Sequence, residues 1–454
     1  MTQAIASHDR YLADFKNLSP EGPSWLQRLR ASAIDRFQEL GFPTARRGNE
    51  PWKYTNVGPI AEREFAYALG GPARVNVDDL RAIAPWDDSW DTLVFVNGRH
   101  APALSSRLEA PRQRVSSLAS ALESDADLIE GHLAQHASFE DDAFIALNTA
   151  FLHDGAFVYV PDGHSIPATV HLLYVSTDGA APSVSYPRTL IVAGANSRAT
   201  VIESYVSVGS ARSFTNAVTE IVVEDGAQVQ HHRLLLESVE SFHIGNTRVY
   251  LEKDSSFSSV SFAAGAAIGR NDFRVLLDAP GASCSLNGLY VTTGTQHIDN
   301  NMNIDHAKPH TTSRLYYKGI LDGKSKAVFG GLVLVRPGAD KTDSYQQDKN
   351  LVLSDEAEVD SKPSLEIYAD DVKCGHGATA GAVAEDAIFY MRSRGLDEET
   401  ANNLLIQGFA SEILDTIQIE PLRVDLERRA MAALLRHSDV ARAGRQPAPT
   451  EGSP

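Results

Sequence analysis

The sequence predicts a mainly β protein, built on a parallel β-helix and flanked by helical regions at both ends. Three observations predict it. Helical periodicity marks the chain before residue 143, disappears over the long stretch that follows, and returns after residue 386. Within that stretch one unit recurs: an aliphatic triplet, a polar or glycine turn, a small residue, then renewed alternation. It begins at 190 (LIVAGANSRATV), 221 (IVVEDGAQVQHH), 249 (VYLEKDSSFSSV), 275 (VLLDAPGASCSL), 319 (GILDGKSKAVF) and 351 (LVLSDEAEVDSKP), at intervals of 31, 28, 26, 44 and 32 residues. The pattern also runs beyond the length of a sandwich domain, and Ala195, Ala227, Ser255 and Ala282 suit tight corners between stacked strands. The expected divisions are a mainly helical N-terminal region (1–142), a β-helix core (143–385), a C-terminal helical unit (386–438) and a disordered tail (439–454).

The elements follow in chain order. SWLQRLRASAIDRFQEL places Leu26, Leu29, Ile34 and Phe37 near helical spacing, with Gly41 and Pro43 as stop signals. NEPWKYTNVGPI is an aromatic connection. TLVFVNGRH reads as a short strand entering an Asn-Gly turn, and SSLASALESDADLIEGHLA as helix. Past the core, Asp397 is an N-cap, with Glu398 and Glu399 at the positive end of the helix dipole. Leu405, Phe409, Ile413 and Ile417 form one stripe of that helix. Pro421 opens a second helix, with Leu422, Leu426, Ala430 and Leu434 along it. Two helices this short cannot bury both faces alone. They pack on the solenoid or offer a face to another protein.

Composition excludes several classes. A net charge of −18 argues against nucleic-acid binding, which needs a basic footprint. No apolar run approaches the roughly 20 residues that cross a bilayer, and the N-terminus has no apolar core of a secretion signal. Cys284 and Cys374 make neither a disulfide framework nor a zinc-finger spacing. A cytoplasmic, reduced protein is expected, without nucleic acid or membrane partners.

Several motifs resemble chemistry without supporting it. GILDGKS has three residues between glycines where a phosphate loop needs four, and strand follows it, so no ATP site is expected. His306 and His310 are spaced as a helical metal pair, but Pro309 between them breaks a helix. His231 and His232 are neighbours on a strand and point to opposite faces. Asp370 and Asp371 read as turn residues. Cys374 and His376, in EIYADDVKCGHGATAG, are different. On a strand they share a face, and thiolate and imidazole both ligate zinc or iron. A cluster needs about four ligands and this motif offers two. The pair is either structural or half of a site completed by another subunit.

At these residues the chain resembles a known family. SKPSLEIYADDVKCGHGATAG with FYMRSRGLDEETANNLLIQGFASEIL looks like the signature of the SufB/SufD family of iron–sulfur cluster assembly. DHAKPHTTS with FGGLVLV, LNTAFLHDGAFVYVP and NEPWKYTNV resemble its other blocks, from about residue 48 to residue 417. The resemblance implies a right-handed parallel β-helix and a scaffold that is not itself an enzyme. It implies pairing with a SufB-type subunit through the β-helices, and docking of a SufC-type ATPase on the C-terminal helices at Leu405, Phe409, Ile413 and Ile417. Gly377 stands where SufB-type chains usually have glutamate, and SYQQDKNLVLS lacks their cysteine, so the likeness is to the SufD branch. The branch implies that His376 and Cys374 serve a nascent iron–sulfur cluster shared with the partner, His376 as a ligand, with no cofactor held stably by one chain. A homodimer is expected in isolation, through edge strands over 345–380. Two other readings remain open: a polysaccharide-active β-helix enzyme using Asp370 and Asp371, and a purely structural partner subunit.

Overall fold

The computed structural model describes residues 10–18, 21–46, 48–67, 75–106, 114–179 and 181–443. Its core is a parallel β-solenoid of about eight turns. Each turn carries two strands. The first of each pair are β1 (Gly155–Val160), β3 (Arg188–Ala193), β5 (Ser213–Val223), β7 (Phe242–Leu251), β9 (Ile268–Leu277), β11 (His297–His306), β13 (Lys326–Val335) and β15 (Glu358–Ile367). The second are β2 (Val170–Ser176), β4 (Arg198–Ser207), β6 (Gln228–Leu236), β8 (Ser256–Ala263), β10 (Ser283–Thr292), β12 (Thr312–Leu321), β14 (Asp343–Val352) and β16 (Lys373–Gly381). Odd strands stack in one sheet and even strands in the other, each pairing with the strand one turn away.

The first four copies of the repeat in the sequence are one corner of this solenoid, and the last two are the other. Asn196, Gly226, Asp254 and Gly281 occupy successive copies of the first corner, all at positive φ (57°, 68°, 55° and 79°). Those are residue types that tolerate the left-handed region. The amide of each of the first three bonds to a carbonyl of the next turn: Asn196 to Asp225, Gly226 to Lys253, Asp254 to Pro280. The 44-residue interval also has a cause. The units at 190, 221, 249 and 275 lie on odd strands, whereas those at 319 and 351 lie on even strands.

Alternate residues of both sheets point into a narrow lumen. Val158, Val201, Ile221, Phe257, Phe273, Leu286, Met302, Leu315 and Phe329 fill it as one apolar cluster. Two in-register pairs are reciprocal. Gly288 lies opposite Tyr317, and Tyr290 opposite Gly319. A methyl on either glycine would overlap the facing ring, so each ring occupies the space that the other strand's glycine vacates.

The two ends differ. At the first turn, strand Asp91–Val96 adds to β2 and turns through Asn97 and Gly98, both at positive φ, into Arg99–His100. Arg114–Ser117 adds to β1. Helices α1 (Ser24–Leu40) and α2 (Ala143–Ala150) pack there through Phe37, Phe144 and Phe214. At the last turn, β15 and β16 end their sheets, and no strand among the described residues pairs with their outer edges.

The N-terminal region also lies across the odd sheet. Trp52 stacks 4.0 Å from the Arg270 guanidinium, and the Thr55 hydroxyl donates to Asp299 at 2.5 Å. Beneath this cover the sheet's outer face carries buried ion pairs, Arg188 with Glu220, Arg248 with Asp272, and Arg270 with Asp299.

The C-terminal unit has three helices, not the two expected: α3 (Glu385–Ser393), α4 (Glu398–Leu414) and α5 (Glu420–Ala443). The extra helix buries none of its residues, although it carries Ile388, Phe389, Tyr390 and Met391. Asp397 caps α4 by accepting from the Thr400 amide at 2.9 Å. Helix α5 continues beyond the expected boundary at 438, through helix-forming Ala and Arg. Residues 444–454 of the expected tail lie outside the described residues. No described helix is long and apolar enough to cross a membrane.

Candidate functional site

The open last turn brings Cys374 and His376 to the end of the solenoid. Both lie on β16, in register with Ser344 and Gln346 of β14. Ser344, Gln346, Asp348 and Asn350 are buried and alternate along β14, so the two β16 residues continue the lumen column by one layer. Cys374 is half-buried and packs against the lumen cluster. Burial is the main cause of its raised thiol pKa. His376 is exposed, and no strand among the described residues stacks above it.

The layer below is polar. Gln346 spans the lumen and donates to the Ser364 carbonyl on β15 at 3.0 Å. The Asp348 carboxylate accepts from Asn350 and Ser361, each at 2.7 Å, while its other oxygen is buried without a partner. Burial pushes Asp348 up to about 6, against the pull of those hydrogen bonds. Tyr290 donates to the Asn350 amide oxygen at 2.5 Å.

A second polar cluster lies deeper in the lumen. Glu203 accepts from Thr219 at 2.7 Å and from Tyr205, and meets His231 at 3.0 Å; His231 in turn meets Ser259 at 3.2 Å. Burial alone would raise Glu203, but the His231 hydrogen bond and the charges of His231 and Arg233 hold it down at about 2. Next to it, His243 bridges Arg233 (2.6 Å) and Glu237 (2.7 Å). A serine, a histidine and a glutamate in line resemble a nucleophile relay. All three are buried, at 3% exposure or less, so no substrate reaches them. The sequence did not reveal this cluster, because polar residues at inward strand positions are distinguishable from outward ones only once register is known.

The other motifs are structural. His306 is buried and bonds to Thr311 and Ser313 at 2.7 and 2.9 Å. Asp370 and Asp371 lie in the bend before β16, with Asp371 paired to Lys341. Among the described residues, no three His, Cys, Asp or Glu side chains are placed to hold a metal ion. Within one chain, Cys374 and His376 are the soft ligands at the open end.

The helical stripe divides. Ile413 and Ile417 are buried in a cluster between the helices and the even sheet, with Ile320 and Leu351; Phe409 is partly buried against it. Tyr316 reaches the Glu412 carboxylate at 2.5 Å, and Lys318 lies under α4. These two isoleucines therefore fasten the helices to the solenoid and present no surface to a partner. Tertiary packing on the chain's own sheet accounts for the apolar period. Among the described residues, the exposed large apolar side chains of the unit are Phe389, Tyr390, Leu404 and Val424.

Two family models match the chain: the SufBD core domain of the SUF system for FeS cluster assembly over residues 174–409, and the SufBD protein N-terminal region over residues 5–172. An iron–sulfur cluster assembly SufBD family protein of Synechocystis sp. is 32% identical over 412 residues, 88% of this chain and 89% of its own length. The iron–sulfur cluster assembly protein SufD of Escherichia coli is 32% identical over 419 residues, 92% of this chain and 93% of its own. The protein of that name from Bacillus subtilis is 26% identical over 435 residues, 93% and 97% of the two chains.

Proposed function

The chain belongs to the SufBD family of iron–sulfur cluster assembly proteins, and from that premise we propose that it is the SufD-type scaffold subunit of a cytoplasmic assembly complex. In this reading it pairs with a SufB-type subunit through the open edges of β15 and β16. A SufC-type ATPase docks on the helical unit and supplies the ATPase activity, so the chain itself is a non-catalytic subunit. The nascent cluster is cargo, formed where a partner thiolate and the His376 imidazole approach each other. The observation that carries this is the asymmetry of the solenoid. One end is covered by added strands and helices, while at the other no strand among the described residues pairs with the outer edges of β15 and β16, where Cys374 and His376 lie on β16. An uncovered strand edge invites pairing with another chain. In isolation the same edge supports a homodimer.

The helical unit's burial pattern refines the docking surface. With Ile413 and Ile417 turned inward, a partner reaches Phe389, Tyr390, Leu404 and Val424 instead. The test is anaerobic purification of the chain with a SufB-type partner and a SufC-type ATPase, followed by iron and sulfide analysis. His376→Ala should leave the complex assembled and strip most of its iron and sulfide. A His376→Ala complex with its full iron and sulfide content overturns the assignment.

A further inference from the structure

At the covered end of the solenoid, where α1 meets α2 and the first turn, lies a cavity of about 360 Å3. Its wall is aromatic. Phe151 lies 6.1 Å from Phe15 and 5.2 Å from Tyr67, ring centre to ring centre. Its polar side is cationic. Lys16 and Arg30 line it, and Arg30 Nη1 donates to the Glu21 carbonyl at 2.6 Å while its Nε is buried with no partner. A small recess shares Tyr67, Phe151 and His153 with the cavity and adds Arg99 and Tyr186. Arg99 Nε and the Tyr186 hydroxyl are also buried without hydrogen-bond partners, and Tyr186 is only 4% exposed.

The unpaired Arg30 Nε at the cavity, with Arg99 Nε and the Tyr186 hydroxyl at the adjoining recess, need an explanation, because a buried donor left unsatisfied costs about 1–3 kcal/mol. The nearby carboxylates do not satisfy them. Asp154 is occupied by the backbone amides of His100, Ala119 and Gly155. Glu21 is two-thirds exposed at the rim and lies 3.8 Å from His153. Arg99 makes no ion pair among the described residues. The concentration of positive charge and open donors is notable in a chain of net charge −18.

We propose that this cavity binds a small aromatic oxyanion. Its ring lies against Phe15, Tyr67 and Phe151, and its carboxylate or sulfonate accepts from Arg30. A charge-assisted bond to a guanidinium in a partly dry pocket is stronger than a neutral one, and a pocket of this size suits a small ligand. The site lies at the opposite end of the solenoid from His376 and does not depend on the assembly role.

The probe is 1-anilinonaphthalene-8-sulfonate, titrated by fluorescence against the full chain. One saturable site is expected. Arg30→Gln should weaken it about tenfold, the effect of losing a charge-assisted hydrogen bond. Ala31→Phe should block it, since Ala31 lines the cavity from an exposed position on α1. N-phenyl-1-naphthylamine, which lacks the sulfonate, should bind at least about tenfold more weakly. His376→Ala should change nothing, and circular dichroism should show all variants folded. Absence of a saturable site, binding unchanged in both cavity variants, or equal binding of the uncharged probe overturns the proposal.

Discussion

The ammonium of Lys318 lies 4.0 Å from the centre of the Phe409 ring and donates to the Phe409 carbonyl at 2.8 Å. Lys318 is on β12 and Phe409 on α4, so this contact joins the solenoid to the helical unit. The side chain is 1% exposed and also pairs with Glu412 at 2.7 Å. Burial lowers its pKa, opposed by Glu412. Lys318→Met keeps the apolar stem and removes both polar links. It should cost about 1.5–3 kcal/mol, the range for a hydrogen bond to a charged group. Hydrogen exchange should show the loss as faster opening across 398–434, with the solenoid strands unchanged.

Asp348 should act on stability in the opposite sense from most carboxylates. Its folded pKa is raised from 3.8 to about 6, so the folded state holds the proton more tightly than the unfolded one. The resulting stability is complete below about pH 3.8 and is lost as pH rises through about 6. Asp348→Asn removes the charge and keeps an acceptor for Asn350 and Ser361. It should stabilise the protein by about 1–2 kcal/mol at pH 7.5 and leave it nearly unchanged at pH 4. Urea unfolding at the two pH values measures the difference.

Glu203 works in the usual direction. Held down from 4.5 to about 2, it contributes stability above about pH 4.5 that is lost as pH falls through about 2. Glu203→Gln faces the donors of Tyr205 and Thr219 and the His231 ring with an amide that is itself partly a donor. A loss of about 3 kcal/mol at pH 7 is expected, and it should narrow as pH falls. Thermal unfolding across that pH range measures it.

The two thiols should differ in reactivity. Cys284 is buried in the lumen, and burial pushes its pKa to about 12. Cys374 is half-buried at the open end, with its pKa raised less strongly. A disulfide reagent at pH 8 should modify one thiol per native chain, more slowly than free cysteine, and Cys374→Ser should abolish that phase. Binding of the paired subunit should protect Cys374. Modification of Cys284 before unfolding counts against this arrangement.

The architecture was legible because its determinants are local. The corner residues Asn196, Gly226, Asp254 and Gly281 repeat in sequence as they do in space. Asp397 caps a helix within its own four residues. What the sequence hid depends on register and on distant packing. Glu203 and His231 are 28 residues apart and meet only because β4 and β6 pair in one particular alignment. Ile413 reads equally well as a partner's surface or as the chain's own core, and only the position of the even sheet decides. Cys374 and His376 were identifiable as a strand pair. Their place at an uncovered end required knowing that β16 is the last strand.

The facing pairs Gly288 with Tyr317 and Tyr290 with Gly319 make the coils non-interchangeable despite their periodic backbone. Enlarging one glycine is tolerable only if the ring opposite shrinks in step, so mutational drift here must be epistatic between positions 29 residues apart. Deleting the coil that carries Gly288 and Tyr290 would preserve the ladder of backbone bonds, yet it would set Ser261 in place of glycine against the Tyr317 ring and leave Gly319 facing Ala263 with no ring to fill its space. The length of the solenoid, and hence the distance between its covered end and its open end, is thereby locked by side-chain size and not by the hydrogen bonds that build it.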